Sequence, residues 1–414
     1  MAMTVDRLIE TEPEDVGLSS ARLANVTRVV HRAVDEGRIP GGMTLVGRHG
    51  KVAYFDTYGS MDLEAGKPLA EDTIFRIYSM TKPIVSVGLM TLYEEGLFQI
   101  DEPVSKYIPQ LKNLKVLAGG TSEAPVLRDA EREMTIRDAL GHTSGLGRGR
   151  GDDHPVSQMY RDVKLPHSAG HEGTLESMME ALGTLPLVFD PGKYWLYSIA
   201  TDVVGRLIEV LSGQRLDAFL KERILDPLGM PDTGFDVPES HWHRLAACYA
   251  PGPAGGPKLV LDDAPATSHY RNPHDFLSAT GGMVSTMADY ARFARMLANG
   301  GELDGARIIG PRTLSFMASN HLPDGRDMAS MNLGGYSEIS RWGQGFGLGF
   351  SVLLDPAKAG TVGTPGEYGW SGAAGTTFFI SPGEDMFAVF MTQLMRAQPL
   401  RRELRTTIYG AITE

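Results

Sequence analysis

The chain has 414 residues, 42% of them apolar, and a formal net charge of −12. That is enough length and apolar content for two or three packed units, and nothing in the totals points to disorder. The acidic balance, with no basic run to offset it, argues against nucleic acid and anionic membrane surfaces as partners, and the single cysteine, Cys248, allows no internal disulfide and reads as a packed core thiol.

Met1 to Glu10 carries Asp6, Arg7 and Glu10 without an apolar core, so neither a secretory signal nor a membrane span is expected there and a cytoplasmic location is the default. A helix is predicted near Ser20 to Glu36. A hairpin follows, with Met43 to Arg48 and Lys51 to Tyr58 flanking the turn His49-Gly50. Phe75 to Tyr78 reads as extended; from Ser79 the apolar positions Ile84, Val85, Leu89, Leu92 and Tyr93 keep a helical period until Glu94-Glu95-Gly96. Pro83 falls in or beside the first turn, where amides lack intrahelical partners.

Helical periodicity dominates from about residue 80 to about 300, as at Leu182, Val203 to Leu211, Leu216 to Leu225 and Tyr290 to Leu297. A last hairpin is expected from Thr376 to Ile380 and Met386 to Thr392 around Ser381 to Asp385. Strands at both ends with helices between them predict an α+β fold: one antiparallel sheet built from both termini plus an inserted, mainly helical domain. The expected division is 1–85 with 285–414 for the sheet domain and 86–284 for the helical one, with the site at their interface. Gly147 to Gly173, Pro251 to Leu277 and His321 to Gly347 lack periodicity and are candidate walls of a substrate cleft.

The eleven histidines form no metal signature: there is no H-E-x-x-H, and His167, His171, His241 and His243 lack acidic or cysteine partners at ligand spacing. No phosphate-binding glycine loop stands between a strand and a helix. Neither a metal nor another cofactor is expected.

Three motifs in chain order carry chemistry. In Ser79-Met-Thr-Lys82 the serine starts a helix, and residues three apart face the same way, so the Lys82 amine can reach the Ser79 hydroxyl while the helix end favours negative charge there. A lysine acting as a base near neutrality needs its pKa lowered from about 10.4 toward about 7 or 8, which burial beside a positive helix end can do. Alone, the motif reads equally well as a helix cap with a solvated lysine. Tyr197-Ser198 follows the turn Pro191-Gly192 and enters a helix; a phenol near amines can move protons, although it could equally be a core plug. Tyr368-Gly-Trp370-Ser-Gly372-Ala373 precedes the final hairpin and has a bare backbone suited to close ligand approach. The amides of Ser79 and Ala373 are the natural pair for an oxyanion. Ser371 is a poor nucleophile candidate, because position 373 is alanine and no strand–turn–helix follows. Together the motifs describe a serine hydrolase that needs no histidine.

In this order the motifs resemble the serine β-lactamase-like family, most of all the family VIII carboxylesterases that share the class C β-lactamase and penicillin-binding-protein fold. The likeness extends to Leu140-Gly-His-Thr-Ser-Gly-Leu146, Pro227-Leu-Gly-Met230 with Thr233, and Gly281-Gly-Met-Val-Ser-Thr286 with Asp289. The resemblance implies that Ser79 is the acylated nucleophile, that Lys82 and Tyr197 share the base work, and that the amides of Ser79 and Ala373 form the oxyanion hole.

Two departures bear on substrate. Relatives that cleave β-lactams have asparagine two residues after the tyrosine and a Lys-Thr-Gly strand; here the positions hold Ile199 and Trp370-Ser371-Gly372. Losing a charged hydrogen bond to a ligand carboxylate costs roughly ten- to a hundredfold in binding, whereas neutral esters lose nothing. Trp370, helped by Trp195 and Tyr194, is expected to give an apolar wall for an acyl or alkyl group. The expected substrate is a small or medium neutral ester. β-Lactamase, D-amino-acid peptidase and acyltransferase activity use the same residues, and a homo-oligomer is left open.

Overall fold

A computed structural model of the protein describes residues 8–148, 153–166, 171–252, 259–333, 341–395 and 400–414. Part of each expected cleft segment (149–152 and 167–170, 253–258, 334–340), His167 and most of the amino-terminal stretch lie outside them.

An eight-stranded antiparallel sheet forms the frame. Its strands are β1 (Gly41–Arg48), β2 (Lys51–Asp62), β3 (Lys67–Pro68), β4 (Gln344–Phe346), β5 (Ser351–Leu353), β6 (Tyr368–Ser371), β7 (Thr377–Ser381) and β8 (Met386–Met391). They lie in the order β4-β5-β6-β7-β8-β1-β2-β3. The chain ends meet at the β1–β8 seam, where Leu45 faces Val389. His49 and Gly50 both take left-handed φ, 51° and 72°, as a two-residue turn matching the sheet's twist requires.

Strand alternation gives the sheet two apolar faces. Val46, Ala53, Ala388 and Phe390 pack with helices α1 (Ser20–Asp35) and α6 (Arg401–Tyr409). Leu45, Trp370, Phe378 and Val389 face the opposite way, into the large core shared with α2 (Thr81–Glu94), α4 (Ala200–Ser212) and α5 (Met287–Ala298). Ser19 caps α1 by accepting the Arg22 amide at 3.3 Å. Helix α2 is buried without interruption from Thr81 to Leu92, so it runs through the interior rather than along a surface.

The expected α+β class and the sheet assembled from both termini match this arrangement. The middle of the chain also holds two hairpins that periodicity did not reveal, Lys115–Gly120 with Pro125–Asp129 and Cys248–Pro251 with Leu259–Asp263. Pro125–Asp129 is exposed along its whole length, so no apolar alternation marks it. The helix expected to continue to Leu225 changes at Lys221 into a π-helical turn. Among the described residues no helix is long and apolar enough to cross a membrane, and no group of three or more His, Cys, Asp or Glu is placed to hold a metal.

Leu45 is fully buried at the seam. Leu45→Ala is expected to destabilise the protein by about 2–5 kcal/mol, read as a lower thermal midpoint with the far-ultraviolet circular dichroism of the native state retained.

Candidate active site

Ser79 sits in a 3-10 turn, Tyr78–Met80, one residue before α2. The helix therefore begins just after the serine rather than on it, and Pro83 is its third residue. Tyr78 holds φ at 43°, a left-handed conformation rare for a bulky side chain, which persists only where the surroundings fix it. They do so here. The Ile77 amide donates to Met283 O at 3.1 Å, the Tyr290 hydroxyl donates to Met80 O at 3.0 Å, and Gly281 packs so closely that a side chain there would begin 3.3 Å from the Tyr78 carbonyl carbon.

One turn on, Lys82 is 1% exposed, and its ammonium donates to Ser79 Oγ at 3.3 Å and to Thr280 O at 2.6 Å. Tyr197 arrives on a loop bent at Gly192 (φ 86°) and tied down by the Leu196 amide to His142 O and the Trp195 amide to Met331 O, both 3.0 Å. Its hydroxyl donates to Ser79 Oγ at 2.6 Å. The Lys82 nitrogen lies 4.5 Å from the centre of the Tyr197 ring, and Trp370 Nε1 donates to the Tyr197 hydroxyl at 3.4 Å.

The end of β6 completes the cluster. A Cβ on Gly372 would stand 2.5 Å from Ile77 O and 2.2 Å from Thr376 Oγ1, so only glycine lets the strand come this close to the turn carrying Ser79. The next residue, Ala373, is exposed, and its amide donates to no carbonyl among the described residues. β5 pairs with β6 only at Tyr368 and Gly369, so among the described residues Trp370 and Ser371 have no ladder partner on that edge.

Burial alone would raise the Tyr197 phenol. The Lys82 charge, with hydrogen bonds to Lys82, Ser79 and Trp370, outweighs it and brings the phenol below its ordinary value. His142 packs on Tyr197 with ring centres 4.9 Å apart, and burial first, then the charges of Lys82 and Arg148, hold it well below the usual histidine range.

Ser79, Lys82, Tyr197 and Trp370 are thus brought together, with Gly372 and Ala373 beside them. Three other residues expected at the substrate are not placed there. Trp195 is fully buried against His142 and Phe346, and Ile199 is buried as the residue capping α4, so neither side chain offers a ligand a wall. Ser371 points to the other face of the sheet, where its hydroxyl pairs with Thr377 Oγ1 at 2.8 Å. Period-two alternation with Trp370 carries that information.

The sequence reading missed Thr280, which holds Lys82, and a guanidinium pair beside β6. Arg341 Cζ lies 5.7 Å from the Trp370 ring centre, and Arg401 donates to Gly372 O at 3.5 Å. Neither has a carboxylate partner among the described residues; burial, then the charges of Arg405 and Arg402, lower Arg341 to about 10, and burial with the Arg341 charge lowers Arg401 to about 9. Both line a cavity of about 830 Å³ along β6 and α6, which Ser79, Lys82 and Tyr197 do not line.

A serine, a buried lysine one turn on and a phenol meeting at one hydroxyl, on a sheet built from both chain ends, define a β-lactamase/transpeptidase-like fold. The Beta-lactamase family model matches residues 26–411, and the chain belongs to that family. Protein Rv1367c from Mycobacterium tuberculosis is 34% identical over 373 residues, 88% of each chain. Esterase EstB from Burkholderia gladioli is 31% identical over 421 residues, spanning 96% of this chain and 98% of its own. Among solved structures, EstCE1, described as a hydrolase with promiscuous acyltransferase activity, superposes with a TM-score of 0.78 at 27% identity, covering 94% of this chain and 99% of its own.

Tyr197→Phe should remove one early phenolate from a near-ultraviolet absorbance titration of the folded protein. An unchanged titration curve would show that the Tyr197 phenol is not lowered.

Proposed function

We propose that the protein is a serine carboxylesterase of the family VIII type, hydrolysing small to medium neutral esters through an acyl-enzyme on Ser79. The observation that carries this reading is the meeting of Lys82 Nζ and Tyr197 Oη at Ser79 Oγ, 3.3 and 2.6 Å away, beside a strand that offers Trp370 in place of a lysine. The likeness to an esterase along nearly the whole chain supports it.

Ser79 Oγ attacks the ester carbonyl while the Lys82–Tyr197 pair, in its singly deprotonated form, takes its proton. The carbonyl oxygen, now negative, is held by the amides of Ser79 and Ala373. Collapse of the intermediate expels the alcohol, protonated from Tyr197, and leaves the acyl group on Ser79. Water then gives its proton to the same pair, attacks the acyl carbonyl and releases the acid, returning the proton to Ser79. Lys82 and Tyr197 share hydrogen bonds and charge, so they act together as one base.

The site is proposed to lie where a sheet domain, 1–85 with 285–414, meets a helical domain, 86–284; Tyr197 comes from the inserted stretch and Trp370 to Ala373 from the sheet. A cytoplasmic location belongs to the same reading, supported by a lone, buried thiol at Cys248. A second reading, acyl transfer to an alcohol, is supported by the likeness to EstCE1. Product analysis with a competing alcohol separates the two.

Ser79→Ala is expected to abolish hydrolysis of p-nitrophenyl esters and covalent labelling by an alkyl phosphonate; surviving activity ends the proposal. Gly372→Ala should lower kcat by about a hundredfold, because the added methyl drives the oxyanion strand from the Ser79 turn. A panel of neutral esters, a carboxylate-bearing hemiester and a chromogenic cephalosporin tests the neutral preference, with Arg341 and Arg401 as the groups that would favour the hemiester.

A further inference from the structure

Asp202 is fully buried in the first turn of α4, five residues after Tyr197, and has no part in the chemistry so far described. Its Oδ1 accepts the Thr280 amide at 2.9 Å and the Ser278 hydroxyl at 3.4 Å, while its Oδ2 has no partner among the described residues. No arginine or lysine forms an ion pair with it among the described residues, which is unusual for a carboxylate wholly removed from water. Thr280 faces two ways. Its amide is held by Asp202, and its carbonyl holds the Lys82 ammonium at 2.6 Å, closer than Ser79 Oγ does at 3.3 Å.

We propose that Asp202 is the positioning residue of Lys82: through Thr280 it fixes the carbonyl against which the ammonium rests, and its charge balances the one Lys82 carries. The inference rests on the reading of Ser79 as an acylated nucleophile. Three observations favour it over a purely structural role for Asp202. The hydrogen bonds from carboxylate to amide and from ammonium to carbonyl meet on one residue. One carboxylate oxygen is left without any local partner among the described residues. Burial raises this carboxyl, and hydrogen bonds from Thr280, the Lys82 charge across the loop and the Ser278 hydroxyl oppose it, leaving it at about 6. The other charged or titratable groups around Lys82 are Tyr197, His142 and Arg148; burial and neighbouring cations keep His142 well below its ordinary range.

Asparagine keeps an oxygen for the Thr280 amide and removes only the charge, whereas alanine removes both. The test is burst-phase acylation by a p-nitrophenyl ester, followed against pH in the wild type, Asp202→Asn and Asp202→Ala, with thermal midpoints recorded. The expected result is an acylation rate that rises through about pH 6 in the wild type, as the carboxyl ionises. In Asp202→Asn that limb is absent and the plateau is about tenfold lower with KM within about twofold, and Asp202→Ala loses about tenfold more. Wild-type acylation and an unchanged pH limb in Asp202→Asn would overturn the proposal. If neither variant folds, the wild-type profile decides: an inflection near pH 6 supports the assignment and a flat profile from about pH 5 to 7 overturns it. A wild type with no burst and no phosphonate label would instead defeat the esterase reading, so the two failures are told apart.

Discussion

The ammonium of Lys82 is enclosed in protein at 1% exposure, and much of the surrounding architecture follows from having to hold it there. A buried ammonium is costly unless its hydrogens are taken up by oxygen or by a ring face. Thr280 O, Ser79 Oγ and the Tyr197 ring take those positions. Each comes from a different part of the chain, so the lysine can stay buried only when the 278–281 loop, the turn before α2 and the loop after Gly192 all pack in register. Folding and assembly of the site are in this sense one event.

The same constraint explains where backbone irregularity has gathered. Tyr78 is in the left-handed region, Gly372 gives up a side chain so that β6 can reach Ile77, and Gly281 presses on the Tyr78 carbonyl. A regular helix start at Ser79 would need none of these. By ending the 3-10 turn at Met80 and beginning α2 at Thr81, the fold presents the Ser79 hydroxyl toward Lys82 and Tyr197 and lets the open end of β6 pass beside it.

Ser79, Lys82, Tyr197 and the Trp370–Ala373 strand were legible in the sequence because each stands in a short local pattern whose spacing carries chemical meaning. The sheet was legible because β1 with β2 and β7 with β8 are short strand-forming runs on either side of the turns at His49-Gly50 and Ser381 to Asp385. Thr280 and Asp202 were not, since nothing in the spacing of residues 82, 202 and 280 says that a helix, a second helix and a loop will share hydrogen bonds. Trp195 illustrates the opposite limit: an aromatic beside the tyrosine reads as a cleft wall, but the loop turns it inward against His142 and Phe346, and its full burial is a tertiary fact. Hairpin Lys115–Gly120/Pro125–Asp129 escaped because its second strand packs neither face and so leaves no periodic trace.

A histidine does lie beside the cluster, and its surroundings oppose its protonation. His142 Nδ1 lies 3.3 Å from both the amide and the hydroxyl of Ser198, its ring is enclosed by Trp195, Tyr197 and Phe346, and burial with two nearby cations opposes its gaining a proton. Those cations act in the opposite sense on a phenol, for which the charged form is the deprotonated one. One electrostatic field, set mainly by Lys82, therefore keeps the imidazole neutral while making the Tyr197 phenol easier to ionise. A site organised around a buried ammonium favours ionisation of a phenol over protonation of an imidazole, and in the mechanism proposed above the phenol that hydrogen-bonds Ser79 directly is the proton-transfer partner.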